Sequence, residues 1–219
     1  MSLSEQIKSQ YNNRKSNPNL YGNNPYSNAV QKEIKDGIED LLKKYFKNFD
    51  ELSLLEIGAG NGTNAYIFED LGFQRKNISF NELLEERVTA IKNNFPENQL
   101  FIGDATNINT TQKFDVIFQS TVFTSILKEE SRIKLANKMW ELLKPNGVIL
   151  WYDFIYNNPA NADVKKVTIK EVKALFKGAK LFDIKHVTLA PPIGRKVGKY
   201  YNFFNFTFLR SHILAIIQK

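Results

Sequence analysis

Five short apolar runs, Ser53 to Ile57, Asn77 to Phe80, Gln99 to Ile102, Phe114 to Phe118 and Gly147 to Tyr152, set the main constraint on this chain. They alternate with segments of helical spacing that begin near Gly62, Leu84 and Glu129, while the gap after Asp104 reads as a loop or short turn. A strand apolar on both faces must be covered on both, and a helix between successive strands carries the chain back to the same sheet edge. The expectation is α/β: a Rossmann-like, mostly parallel sheet with helices on both faces. Lys144, Pro145, Asn146 and Gly147 read as a helix stop and turn directly before the fifth run. After a helix opened by Thr168 with Glu171, the tail offers two longer strands, Lys180 to Leu189 and Arg210 to Ile217. Two strands around an insert suggest an antiparallel edge, with the insert lying over the ligand end.

From Asn28 to about Phe46, Val30, Ile34, Ile38, Leu41, Leu42 and Tyr45 recur at three- and four-residue steps, as a docking helix with one buried stripe requires. Ahead of it, Ser2 with Glu5 forms a capping-box pattern, and the Asn-, Pro- and Gly-dense segment NNRKSNPNLYGNNPY reads as a loop able to order over a ligand. With 219 residues the chain fits one compact domain. Residues 1–50 are expected as a helical cap of that domain, and 51–219 as its catalytic part with a lid insert at about 191–209. The absence of Cys rules out disulfides, thiolate metal sites and Cys nucleophiles. No apolar stretch approaches the roughly 20 residues of a membrane helix, and the polar start MSLSEQIKSQ lacks a secretory core, so a soluble cytoplasmic protein is expected.

The net charge of +7 is unevenly spread: residues 151–219 hold 12 cations against 4 anions, whereas 51–150 hold 10 against 13. Several of the C-terminal lysines fall at helical intervals, as on a solvated helix face, so nucleic acid is not the expected partner.

The first strand ends in LLEIGAGNGTN, which sets Glu56, Gly58, Gly60 and Gly62 at alternate positions where strand turns to helix. Such glycines let backbone approach a ligand without an intervening Cβ. Glu82 follows the second strand, placed to accept hydrogen bonds from both ribose hydroxyls. A dinucleotide fingerprint would need glycine at Thr63, where the helix N-terminus receives a pyrophosphate. Glu56 adds negative charge that repels a diphosphate and attracts a cation. S-adenosylmethionine, with an α-ammonium, a sulfonium and no phosphate, meets that electrostatic requirement.

Here the sequence resembles the class I S-adenosylmethionine-dependent methyltransferases over residues 50–155, which implies a Rossmann-like seven-stranded sheet whose last strand runs antiparallel, in keeping with the tail. Their first motif is matched by E-I-G-A-G-N-G from Glu56 to Gly62. The resemblance implies cofactor contacts by Glu56, Gly58, Ala59, Gly60, Asn61 and Gly62, a ribose held by Glu82 with Leu83 beside the adenine, and Asp104 and Ala105 of a G-D-A segment at the adenine edge. Asn81 stands where glycine or valine is commoner, which touches the register of Glu82. F-D-V-I and L-L-K-P-N-G-V match the family's fourth strand and the approach to its fifth. At the fourth strand end, Gln119 and Ser120 are candidate ligand contacts or a hydrogen-bonded cap.

Acceptor-side candidates are Tyr152, Asp153 and Asn157 after the fifth strand, Asp153 as general base or loop cap. His212 is a second candidate base; like His186, it is otherwise a packed strand residue. In the insert, Arg195 and Lys196 with the following aromatics suit a lid for an anionic or sugar-bearing acceptor. As a packing helix, the insert would instead bury Tyr200, Phe204 and Phe208 as one stripe. The phrases QSTVFTSIL, WYDFIYNNP and LAPP look like a bacterial subgroup acting on small molecules. The expected activity is therefore methyl transfer from S-adenosylmethionine to an oxygen of a sugar, lipid-linked or phosphorylated small molecule, without a metal. An RNA methyltransferase and a nicotinamide oxidoreductase are the rival readings; the sequence leaves oligomeric state open.

Overall fold

The computed structural model describes residues 5–9, 24–157 and 161–219. Seven strands form one sheet in the order β3-β2-β1-β4-β5-β7-β6. They are β1 (Leu54–Ile57), β2 (Ile78–Glu82), β3 (Leu100–Ile102), β4 (Phe114–Ser120), β5 (Leu143–Phe154), β6 (Leu181–Leu189) and β7 (Arg210–Gln218). The first five pair in parallel, and β7 runs antiparallel to both β5 and β6. The parallel β1 and β2 are buried along their whole length, the condition their continuous apolar sequence demands.

Two cores fill the faces. On one, Leu54, Val116, Leu150, Leu214 and Ile216 pack beneath α1 (Pro25–Leu42), α2 (Ala65–Leu71) and α3 (Glu85–Asn94). On the other, Leu55, Ile117, Ile149, Trp151 and Ala215 pack against α4 (Glu129–Leu142) and α5 (Ile169–Leu175). The cap helix α1 starts earlier than its apolar stripe, because Asn24 accepts the Ser27 amide and Pro25 supplies a first-turn residue that needs no donor. At Gly37 a Cβ would stand 2.8 Å from Leu214 Cδ2, so glycine lets α1 lie directly on β7. Thr168 and Glu171 form the expected reciprocal cap of α5.

Two expectations are corrected. Lys144 to Gly147 is no separate turn: α4 stops at Leu142, and these residues form the bulged opening of β5. Leu143 pairs with Phe114 and Val148 with Val116, while Asn146 takes up the excess at φ +63. Lys144 donates to Asp115, which also accepts from the Ser53 amide and hydroxyl, so the longer strand is pinned to β4 at its start.

The insert is the second. It folds as α6 (Pro191–Val197) and α7 (Tyr201–Phe204), joined and followed by short 3-10 turns. Tyr200, Phe204 and Phe208 are exposed rather than a buried stripe; Tyr201 goes inward instead, stacking near Tyr26 of α1. The turn between the two helices breaks the four-residue period. Ser2 and most of the following Asn-rich loop lie outside the described residues. No helix among the described residues is long and apolar enough to cross a membrane.

Candidate functional site

The C-terminal ends of β1, β2, β3 and β4 line a crevice that is open to solvent. This is the edge where open α/β sheets bind ligands. Of the cofactor residues inferred from sequence, Gly58, Glu82, Leu83, Asp104, Ala105 and Ser120 line it. Glu56, Ala59, Gly60, Asn61, Gly62 and Gln119 stand in or behind the surrounding turns rather than in the lining.

The first turn owes its shape to its glycines. Gly58, Gly60 and Gly62 all have positive φ, and a Cβ on Gly58 would meet Val122 Cγ2 at 2.7 Å. Around Gly60 the space is open, with the Arg87 guanidinium its nearest neighbour at 3.9 Å from the virtual Cβ. The Gly60 amide donates to Glu82 Oε2 at 2.7 Å, and Glu82 Oε1 accepts from the amides of Leu83 and Leu84, each at 2.8 Å. The ribose candidate is thus a buried carboxylate aligned by three backbone donors. Asn81 removes the doubt over its register: its amide donates to the carbonyls of Phe101 and Gly103, bracing β2 on β3 with Glu82 opposite Ile102.

Glu56 lies under the turn, almost wholly buried. Its Oε1 accepts from Asn64 at 2.7 Å, whereas Oε2 has no hydrogen-bond partner among the described residues. Burial pushes its carboxyl up to about 8; the Asn64 bond opposes that rise and the nearby Glu82 adds to it. A buried acceptor without a donor costs free energy unless another molecule supplies one. The residues present therefore fit a cationic ligand: an open approach over Gly60, an oxygen awaiting a donor, and a second carboxylate across the crevice.

At the end of β4, the two neighbours separate. Gln119 is enclosed and acts as the cap, its amide donating to the Tyr152 carbonyl and its oxygen accepting the Val122 amide. Ser120 faces the crevice. Thr121 follows at φ +57, an uncommon conformation for a β-branched residue, held by its amide bond to the Tyr152 carbonyl.

The acceptor-side candidates do not converge on this crevice. Asp153 is fully buried near the end of β5, where Oδ1 accepts from Thr124 Oγ1 and the Phe154 amide, and Oδ2 from the Thr124 amide. Desolvation pushes it up to about 7 against the pull of these bonds. Beside it, Arg132 gathers the carbonyls of Phe123, Ile126, Lys165 and Lys166, joining the loop after β4 to the segment before α5. Tyr152 donates or accepts through its hydroxyl with Thr188, and its ring stacks on His212 at 5.0 Å. His212 Nδ1 meets Ser211 Oγ at 2.9 Å, and burial lowers its imidazole to about 4, so it is neutral. Asn157 accepts the Lys166 amide, while Arg195 and Lys196 are exposed on α6.

Several lining residues were not singled out one by one from the sequence: Val122, Ser125, Ile126 and Leu135 line the crevice, and so does Ile7, from a helical turn at residues 5–9. Arg87 was legible only as the R of an E-E-R-V helix start. Among the described residues, no group of three or more His, Asp or Glu side chains is arranged to hold a metal.

Comparison with known proteins agrees with this geometry. A methyltransferase domain family matches residues 26–182. The malonyl-[acyl-carrier protein] O-methyltransferase of Calditerrivibrio nitroreducens is 27% identical over 140 residues, 64% of this chain; the chain spans about half, 52%, of that relative. Among solved structures, an S-adenosylmethionine-dependent methyltransferase from Clostridium acetobutylicum superposes with a TM-score of 0.61 at 14% identity, covering 86% of this chain and 91% of the other. The S-adenosylmethionine-bound amino pentose methyltransferase of Micromonospora echinaspora gives 0.56 at 14% identity, covering 84% and 90%. Sheet order, glycine turn and family match agree: the chain belongs to the class I S-adenosylmethionine-dependent methyltransferases.

Proposed function

We propose that this chain transfers a methyl group from S-adenosylmethionine to a small-molecule acceptor, on an oxygen of a sugar, lipid-linked or phosphorylated compound. The observation that carries the reading is Glu56 Oε2, a buried acceptor without a donor among the described residues, beneath a glycine turn, which suits an ammonium and disfavours a diphosphate. When bound, the cofactor supplies an electrophilic methyl on a sulfonium. Glu56 and the Gly58–Gly62 turn hold its amino-acid end, Glu82 takes the ribose hydroxyls, and Leu83, Asp104 and Ala105 surround the base. Ser120 borders the crevice where an acceptor would approach.

Positioning is the main demand of an in-line displacement, with proton removal needed only for a protonated oxygen. Of the two candidate bases, His212 has the freer chemistry. It is neutral, Nδ1 is tied to Ser211, and Nε2 has no hydrogen-bond partner among the described residues. Asp153 has both oxygens engaged, so its role is to hold Thr124 and the loop after β4. A base as weak as His212 matches only an acidic acceptor. The relative's name, an O-methyltransferase, supports oxygen as the acceptor atom.

Calorimetry with S-adenosylhomocysteine and with NAD tests the cofactor assignment. Binding of the first in the micromolar range or tighter, without the second, is expected. Glu82→Ala should weaken it by about 1–3 kcal/mol. NAD binding without S-adenosylhomocysteine binding would overturn the proposal, and methyl incorporation into RNA but into no small acceptor would replace the substrate class.

A further inference from the structure

The insert carries an unusual outer surface. Phe203 and Phe208 are 76% and 80% exposed, Phe206 is 51% exposed, and Tyr200 and Phe204 are exposed beside them. The rings meet each other rather than a core: Phe203 lies edge-on to Phe204 at 5.2 Å, and Phe206 stacks on Phe208 at 5.8 Å. This arrangement is held firmly from below. Tyr201 donates to Glu33 of α1 at 2.5 Å and accepts the Leu189 amide, while Asn205 donates to Glu33 Oε1 and Arg210 binds Asn205 and the His186 carbonyl. The aromatic cluster is thus displayed on a braced platform.

Charge accompanies the rings. Arg195, Lys196 and Lys199 are exposed in the same insert, Lys199 over the Tyr200 ring at 5.2 Å. From residue 184 to 219 the chain has six cations and no Asp or Glu. Glu33, the carboxylate that braces the insert, is spent on the clasp beneath it.

We propose that the insert is a membrane-interface anchor, which sets Phe203, Phe206 and Phe208 into the headgroup layer of an anionic bilayer while Arg195, Lys196 and Lys199 bind lipid phosphates. Exposed aromatic rings beside cations are the composition of such anchors. A bilayer also suits the shape. Protein interfaces place aromatics in matched pockets with about ten hydrogen bonds, but the exposed Phe203 and Phe208 lie against Phe204 and Phe206 and have no polar group to pair. The headgroup layer needs neither a matching pocket nor a pairing partner. β6 ends and β7 begins at this insert, so it stands at the sheet end that holds the crevice. The proposal stands apart from the methyltransferase reading, since vesicle binding requires no cofactor.

The test is co-sedimentation of the full chain with phosphatidylcholine vesicles and with mixed phosphatidylcholine and phosphatidylglycerol vesicles. Binding to the anionic vesicles is expected to be more than tenfold tighter and to weaken as salt rises. Lys196→Gln with Lys199→Gln should cost about fivefold per cation on anionic vesicles and little on neutral ones. Phe203→Ser with Phe206→Ser and Phe208→Ser should cost more than tenfold on anionic vesicles, with an unchanged circular dichroism spectrum because all three rings are exposed. Vesicle binding absent in the parent chain, or unaffected by both sets of substitutions, would overturn the proposal. So would a self-associated state in gel filtration, or binding to an acidic protein, that the phenylalanine substitutions abolish while vesicle binding persists.

Discussion

Glu56→Gln should make the ligand-free protein more stable and the cofactor site worse, with the stability gain growing as pH rises. The folded carboxyl titrates at about 8 against an ordinary 4.5, because it is buried with one oxygen unpaired. A carboxyl raised in this way is neutral and compatible with the fold below 4.5, and its contribution is lost as pH climbs toward 8. Between pH 5 and pH 8 the unfolded chain has released a proton that the folded chain largely keeps. Integrated at about 1.4 kcal/mol per pH unit, the loss is about 3 kcal/mol. Glutamine has the shape of the protonated acid and does not titrate, so the variant should match the parent near pH 5 and exceed it by about 3 kcal/mol at pH 8. Urea unfolding at several pH values reads this difference as a midpoint shift of about 1 M for a slope near 3 kcal/mol/M. Other titrating groups largely cancel between parent and variant. In calorimetry the same substitution should weaken S-adenosylhomocysteine about tenfold to a hundredfold, the loss of a charged hydrogen-bond partner. A stability difference constant from pH 5 to pH 8 would refute the reasoning, because Glu56 would then be ionised or solvated in the folded chain.

Gly58→Ala combines φ +64 with a Cβ 2.7 Å from Val122 and should cost about 1–3 kcal/mol; adding Val122→Ala should recover the steric share, and strictly additive losses in thermal unfolding would contradict the close approach. Arg132→Met strips four carbonyls of their donor and should cost about 2–3 kcal/mol, with hydrogen exchange accelerated in residues 121–126 and 161–167; exchange raised uniformly across the chain would show that Arg132 does not tie those segments. His212→Phe bears on acid stability. With the imidazole lowered to about 4, the unfolded chain binds the extra proton between 6.5 and 4, so parent stability falls across that window as pH drops. The phenylalanine variant should fall less, and parallel curves would place His212 in solvent.

Much of the fold was legible because its strands are buried on both faces. Continuous apolar runs such as Leu54–Ile57 have few alternatives once helices of suitable length lie between them, and the capped start of α5 was written in Thr168 and Glu171. The glycine turn was legible for a related reason: backbone shape at Gly58 is a local requirement that marks sequence directly. Elsewhere local pattern misled. Lys144 to Gly147 has turn composition, yet pairing with β4 and the Lys144–Asp115 contact draws it into β5. The four-residue aromatic spacing in the insert implies one helix, whereas the turn at 198–200 rotates Tyr201 inward and leaves its neighbours outside.

By itself, the sequence determined the sheet class, the glycine turn at the end of β1 and the carboxylates of Glu56 and Glu82 beside it, since periodicity, glycine φ and charge depend on neighbours a few positions away. Tertiary structure alone decided that Glu56 keeps an unpaired oxygen, that Asp153 turns from the crevice to Thr124, and that five aromatic rings face outward on a platform clasped by Glu33. Each of these depends on which distant groups come within about 3 Å and on how much water is excluded. Both quantities arise only when segments more than a hundred residues apart, such as α1 and the insert, are packed together.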